Sequence, residues 1–511
     1  MFRWLICAVA LSLPMAAHAD WIEASSKHFR VYANDDKSDI RHFTKKLEIY
    51  DKAMRELWGV PDGKIPATQR LTIYVVSDVA SVQQLLPGRS AAGFYEARAS
   101  GPVAFVPADS GDVLTAAEVL RHEYAHQFMY SNWANSSFPT WFSEGFAEFN
   151  ATADFRSDGS ITFGARPDYR DYGMLRSGTV PLSMLLRPSF EDMSAEQHAI
   201  GYSRAWLLTH FLLTQPDQRG QLVAYLKAIN TGKSAEEAAK ALDGISDMRL
   251  NHYIQRRALP AITVDADKLA VGAIELRKLE PGEAAIMPAR IASSAGVNEE
   301  TAPAVEKLAR SIAASYPESS AVQRELAEAA FDAEDFKASE AAAQRALAAN
   351  AENVDALLYR GMAAMAVAWN NNGTDAKRWE EIRQWFLKAN KLDTENPRAL
   401  QLFYESFEAA KQEPTKNAKS ALLYAYALAP YSMDLRLMAA KVLLEMGEGK
   451  AAQTALKPVA YSPHASPVVD IAQAALKELS SAGPDAAADL LQKKENALRK
   501  QAAEQDSEMS S

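Results

Sequence analysis

At 511 residues, 48% apolar and 23% charged, the chain is too long for a single core and has the balance of an ordinary globular protein. This excludes a mostly disordered, a collagen-like or a many-spanning membrane chain. Sixty-five acidic against 55 basic residues give a formal charge of -10, so no global basic field invites nucleic acid.

In chain order, the first element is a leader. Arg3, an apolar run over residues 4–13 broken only by Ser12, and Ala17-His18-Ala19 read as a signal peptide, residues 1–19, cleaved near Ala19. The run is short of the roughly 20 apolar residues a bilayer crossing needs. No stable membrane span is expected, and the mature chain is expected to be exported, periplasmic or secreted. The single cysteine, Cys7, leaves with the leader. That excludes a disulfide framework, a cysteine nucleophile and a thiolate metal site.

Residues 29–32, 71–76 and 101–106 are β-branched and aromatic runs of strand length, the last bounded by Pro107. Residues 40–58 carry Phe43, Leu47, Tyr50, Met54 and Leu57 at helical spacing and stop at Gly59. From 113 to 257 the pattern is mostly helical, except for a Gly/Asp/Arg-rich stretch over 154–177. Thr115 and Glu118 have the spacing of a capping box for the first of these helices. Pro260 marks a boundary, and Pro281-Gly282 reads as a turn.

Residues 301–479 are alanine-rich and repetitive. Turns are expected near residues 349–353, 392–397, 428–432 and 459–463, with an inserted loop over 370–374. Leu392 and Leu428 stand 36 residues apart, close to the roughly 34 of a tetratricopeptide (TPR) repeat, a family this array resembles. Small residues such as Ala342, Ala343, Ala346, Ala425 and Ala427 would let paired helices approach closely. The organisation expected is a domain over 20–258, a connector with short strands over 259–300, TPR-like repeats over 301–483 and a charged helical or disordered tail over 484–511.

The sharpest local pattern is His122-Glu123-Tyr124-Ala125-His126. On a helix, residues four apart share a face with β-carbons about 5–6 Å apart, so two imidazoles can grip one small cation. Glu123, about 100° round the helix, can reach a water there without joining the ligands. Glu144 follows among bulky apolar residues, in Trp141-Phe142-Ser143-Glu144-Gly145-Phe146-Ala147. A carboxylate so placed is costly unless paired, and a divalent cation is a suitable partner. Gly145 removes a side chain where two helices can pack closely. Glu148, one turn on, can accept a hydrogen bond from a ligand imidazole. Other first-row cations also accept histidine and carboxylate.

These two motifs resemble those of the gluzincin metallopeptidases, the peptidase clan with His-Glu-x-x-His and a distant glutamate that contains thermolysin and the large aminopeptidases. The resemblance implies an α+β zincin-like N-terminal domain, a small sheet plus active-site helices, ahead of an all-α TPR-like superhelical domain. It also implies one Zn2+ per chain, held by His122, His126 and Glu144, with Glu123 as general base. The aminopeptidase branch places an oxyanion-binding tyrosine some sixty residues past the third ligand. Tyr202, 58 past Glu144, is the matching candidate, with His198 in reserve. That branch also carries a Gly-x-Met-Glu-Asn strand that grips a free amine, whereas Gly101-Pro102-Val103-Ala104-Phe105 holds no acid. An endopeptidase is therefore expected, with Val103, Ala104 and Phe105 as an edge strand pairing with extended substrate. Peptide or protein substrates, and protein partners on the repeats, are the expected partners. The alternatives are an assembly factor acting through its repeats with a vestigial metal site, and a hydrolase of a non-peptide amide.

Overall fold

The computed structural model describes residues 21–86, 93–109, 116–187, 189–190, 192–462, 466–494 and 497. The expected leader and the capping residue Thr115 lie outside these. Among the described residues no helix is long and apolar enough to cross a membrane.

The N-terminal region is α+β. Strands β1 (Trp21–Ser25) and β2 (Phe29–Asn34) form a hairpin, and helix α1 (Lys37–Trp58) follows, stopped by Gly59 at φ 64°. Strand β3 (Leu71–Asp78), helix α2 (Val79–Leu85), and strands β4 (Phe94–Glu96) and β5 (Val103–Asp109) follow. With a later strand, Glu275–Lys278, they make a six-stranded mixed sheet. Its order is β4, β5, β3, β2, β1 and that last strand.

The strands read as continuous apolar runs because both faces are covered. Val31, Ile73, Ala104 and Val106 point to one core, shared with α1. Tyr32, Tyr74 and Phe105 point to a second, under the helix Pro281–Ala295. β5 runs on through Pro107, which pairs with Val76. That residue lies past the end of β4, on a side where no ladder donor is needed.

Beyond the sheet come α3 (Ala116–Asn132) and α4 (Thr140–Ala151), then a small sheet opened by β6 (Asp154–Phe155) and β7 (Ile161–Phe163). The short helices α5 (Asp171–Met174) and α6 (Leu182–Leu185) lead to α7 (Ala195–Thr214), which starts with a capping box at Ser194 and Gln197. Helices α8 (Arg219–Asn230), α9 (Ala235–Ala239) and α10 (Asp247–Ile254) close this part.

The segment expected to be a connector is built into the domains on either side. β8 (Ile262–Val264) completes the small sheet against β7, and β9 (Glu275–Lys278) pairs with β1. Pro281-Gly282 opens a helix, α11 (Pro281–Ala295), with proline in the first turn, where its missing N–H costs nothing.

His210 on α7 sits deep in this region. Its Nε2 donates to the Gly164 carbonyl at 2.9 Å, and its Nδ1 accepts from the Tyr253 hydroxyl at 2.9 Å. Burial pushes this imidazole down to about 4, against the lift from the Gly164 and Pro260 carbonyls. Unfolded histidine titrates near 6.5. The folded chain therefore refuses a proton that the unfolded chain takes up. Stability from this site is present above pH ~6.5 and falls by about 3 kcal/mol as the pH drops to about 4. Thermal melts across this window should show a shallower acid loss for His210→Gln than for wild type; parallel losses would refute the assignment.

The C-terminal half is all-α. After α11 come α12 (Ala302–Ser315), α13 (Ser320–Asp332), α14 (Phe336–Ala349), α15 (Val354–Asn370) and α16 (Ala376–Leu392). Then follow α17 (Pro397–Ala409), α18 (Lys416–Leu428), α19 (Met433–Glu445), α20 (Gly449–Ala460) and α21 (Pro467–Ser481). Short turns pair neighbouring helices, as in TPR-like arrays. Ala342, Ala343, Ala346 and Ala425 are fully buried between them, whereas Ala427 is exposed. The longer repeat step does not come from an inserted loop. α15 and α16 have 17 residues each against 13 in α17 and α18, so each is about one turn longer. The helical path continues to residue 494, with Ala487 and Leu491 fully buried.

The array is packed on the N-terminal region. Tyr130 and Ala99 share a core with Leu402, Phe403 and Tyr431. The buried Arg436 donates to the Ala134 carbonyl at 3.0 Å, and Thr140 Oγ1 to the Tyr461 carbonyl at 3.2 Å.

Candidate metal centre

α4 is tied at its C-terminal end to both α3 and α1. Arg121 Nε donates to the Ala151 carbonyl at 2.8 Å, and the Tyr50 hydroxyl to the Asn150 carbonyl at 3.1 Å. These satisfy carbonyls at the C-terminal end of α4, where the helix dipole favours a cation. Behind α3, the Tyr124 hydroxyl donates to Asp51 Oδ1 at 2.6 Å, and Arg55 Nε holds Asp51 Oδ2 at 2.7 Å. His28, Glu48 and Asp51 also gather there. Their carboxylates are spent on this network, with Glu48 on the His28 ring at 2.8 Å, so it anchors α1 to α3.

Between α3 and α4, three donor groups converge. His122 Nε2 and His126 Nε2 are 3.2 Å apart, and they lie 3.4 and 3.6 Å from the two oxygens of Glu144. Ligands at about 2.0–2.1 Å around a tetrahedral cation stand about 3.3–3.4 Å from one another. Glu144 is fully buried, and neither oxygen has a hydrogen-bond partner. An unmatched buried carboxylate costs several kcal/mol, so the donor set and its spacing fit a small divalent cation. With no cation, burial would push the His122 imidazole down. Its close approach to Glu144 and the charges of Glu148, Glu144 and Glu123 outweigh this and raise it to about 9. Burial likewise opposes ionisation of Glu144, but the two histidines hold its carboxyl well below the usual range.

A second ring of groups orients these donors. Glu148 Oε1 lies 3.4 Å from His122 Nδ1. It also accepts from Arg170 Nε at 2.9 Å, while its Oε2 accepts from the Tyr169 hydroxyl at 2.9 Å. His126 Nδ1 lies 3.3 Å from Ser143 Oγ, which meets the Tyr130 hydroxyl at 3.3 Å. Tyr169, Arg170 and Ser143 were not among the residues picked out by pattern. Ser143 has a signal in its place beside Glu144, whereas Tyr169 and Arg170 come from a single 3-10 turn, Asp168–Arg170, with none.

Glu123 is half-buried and faces the cleft, where its charge acts on His122, on Tyr95 of β4 and on Tyr202 of α7. The ring of Tyr202 lies 4.9 Å under the Arg170 guanidinium. Burial first, then the Glu144 charge, pushes its hydroxyl up, which keeps it a neutral donor. His198 packs its ring edge-on to Phe190.

The substrate-strand expectation needs correction. Val103, Ala104 and Phe105 are paired on both sides, with β3 and with β4, so they offer no free edge. The edge of the sheet is β4, which turns Tyr95 toward α3 and Glu123. The hydroxyls of Tyr95 and of Tyr431, from the array, are buried there without hydrogen-bond partners.

Residues 116–236 match a family described as a protein of unknown function (DUF1570), and this span holds every candidate ligand, Glu123 and Tyr202. No curated protein matches the chain. A solved structure titled "Functional Characterization of Pseudomonas Aeruginosa pilF" is similar to it. The likeness has 17% identity and a TM-score of 0.32, over 41% of this chain and 90% of that one.

Proposed function

We propose that the protein is an exported zinc-dependent endopeptidase whose repeat array brings protein substrates or partners to the cleft. The observation that carries this reading is the triad of donor atoms 3.2–3.6 Å apart around an unsatisfied buried Glu144. His122, His126 and Glu144 would hold the ion. Bound zinc supplies Lewis acidity, lowering the pKa of a water toward about 7 and polarising a carbonyl. Glu123, whose carboxylate faces the cleft, would take a proton from a water and pass it to the leaving amine. The Tyr202 hydroxyl donates to the oxygen on which negative charge develops, a role commonly worth about 2.7–4 kcal/mol.

Endopeptidase action is supported by the edge strand beside the cleft, which among the described residues turns no acid toward the site. The acid of the edge strand, Glu96, alternates with Tyr95 and so points to the opposite face, where Arg98 Nε binds it at 2.8 Å. Recruitment by the array is supported by a polar groove of about 710 Å³ between the two halves. Arg324, Asp355 and Gln401 of the repeats line one wall, and Arg70, Arg98 and Arg290 the other.

The test is metal removal. Casein or quenched-peptide cleavage by the full chain should disappear on chelation and return with added zinc. Cleavage that survives complete zinc removal would refute the reading.

A further inference from the structure

On the far side of α4 from Glu144 lies a cavity of about 750 Å³ with no part in the chemistry above. Its floor is Phe142, Phe146 and Phe149, a helical stripe three and four residues apart, closed by Leu222 and Val264. Trp58 and Trp133 form a wall, with ring centroids 4.7 and 5.8 Å from Phe146. Interiors of proteins are normally filled to crystal density. An aromatic cavity of this size that opens to solvent is instead the form of a ligand pocket.

The polar groups around it restrict what can enter. Trp58 Nε1 already donates to Asn150 Oδ1 at 3.1 Å, and the Asn230 amide is tied to the Ser137 backbone on both its atoms, at 2.7 and 3.0 Å. These two amides are thus taken, and the Phe142–Phe146–Phe149 floor carries no polar atom, so a ligand's polar groups laid on it would go unpaired. At the mouth stand the exposed side chains of Arg219, Lys227 and Lys268 against one carboxylate, Glu56, which Lys52 already pairs at 2.7 Å. This is a local reversal of sign on a chain of net charge -10. Beside the cations, Val223 is 66% exposed and extends the apolar wall outward.

We propose that this cavity binds a single-chain anionic amphiphile of the fatty-acid type. Its hydrocarbon lies on the Phe142–Phe146–Phe149 floor, and its carboxylate meets the Lys227 and Lys268 ammonium groups. The occupant touches the back of the helix whose front carries Glu144, but binding does not depend on a metal or on peptidase activity.

The experiment is a fluorescence titration of the full chain with cis-parinaric acid, followed by displacement with dodecanoate and with dodecanol. Saturable one-site binding is expected, displaced at least tenfold more effectively by dodecanoate. The exposed pair Lys227→Glu and Lys268→Glu should weaken dodecanoate about tenfold and leave dodecanol unchanged. Leu226→Trp, which fills the cavity, should weaken both, with a thermal melt verifying its fold. Absence of saturable binding, equal displacement by the two competitors, or affinity unchanged in the charge-reversed protein would each overturn the proposal.

Discussion

Glu123→Gln is expected to lower kcat/KM for a quenched peptide by about 10²–10⁴-fold, the usual worth of a positioned general base. The amide keeps the size and shape of the carboxylate but cannot take a proton from water. Glu123 is also outside the donor triad, whose members are His122, His126 and Glu144, so zinc content should be unchanged. Loss of activity with retained metal separates a catalytic residue from a ligand. A Glu123→Gln protein that cleaves within a few-fold of wild type would remove Glu123 from the mechanism.

The largest stability effect is expected from Gly145→Ala. A β-carbon there would stand 2.2 Å from Thr209 Oγ1 and 2.4 Å from the Ala205 carbonyl oxygen. The threonine hydroxyl can rotate away. The carbonyl belongs to the backbone of α7 and cannot, so α4 and α7 must part. Overpacking of this kind costs about 1–3 kcal/mol and occasionally more, and the backbone clash puts this site at the upper end. For a domain of roughly 150–250 residues each kcal/mol lowers Tm by about 2–4 °C. Thermal melts of the full chain should therefore show the N-terminal transition falling by about 6 °C or more. Because Glu144 precedes the displaced residue, zinc should also bind more weakly. An unchanged Tm would mean that the two helices do not pack through Gly145.

What could be read from the chain follows the range of the interactions involved. His122 and His126 meet because the helix repeat brings them together, and Glu144 stands out because its neighbours are Trp141, Phe142 and Phe146. Those signals are local. The partners of Glu148 are not, since Tyr169 and Arg170 reach it from a short 3-10 turn over 20 residues away. The position of the free edge strand is non-local in the same way. Phe94–Glu96 is only three residues long, too short for alternation to reveal, yet its pairing with residues 103–105 decides which strand is free. In the array, turn residues marked the ends of helices well, but a step length cannot distinguish longer helices from a longer loop. The boundary near Pro260 was real as a break in helix. The strands that follow it, however, return to both sheets through pairings that only the folded chain supplies.

The packing of the array also changes how its role should be tested. Removing residues 301–511 would bare Tyr130 and Ala99 and strip away Tyr431, which lies beside Tyr95 at the cleft. A substitution of the exposed groove-wall residue Asp355 probes recruitment without disturbing that contact.

The most direct test of the central claim is the zinc content of purified full-length protein, measured by elemental mass spectrometry for wild type and Glu144→Gln. The neutral amide keeps the volume of the buried carboxylate but removes its charge from between His122 and His126. One zinc ion per chain in wild type, falling to near zero in Glu144→Gln with the fold retained, is the predicted result. Wild type that takes up no zinc, or a variant that holds it as well as wild type, would contradict the account.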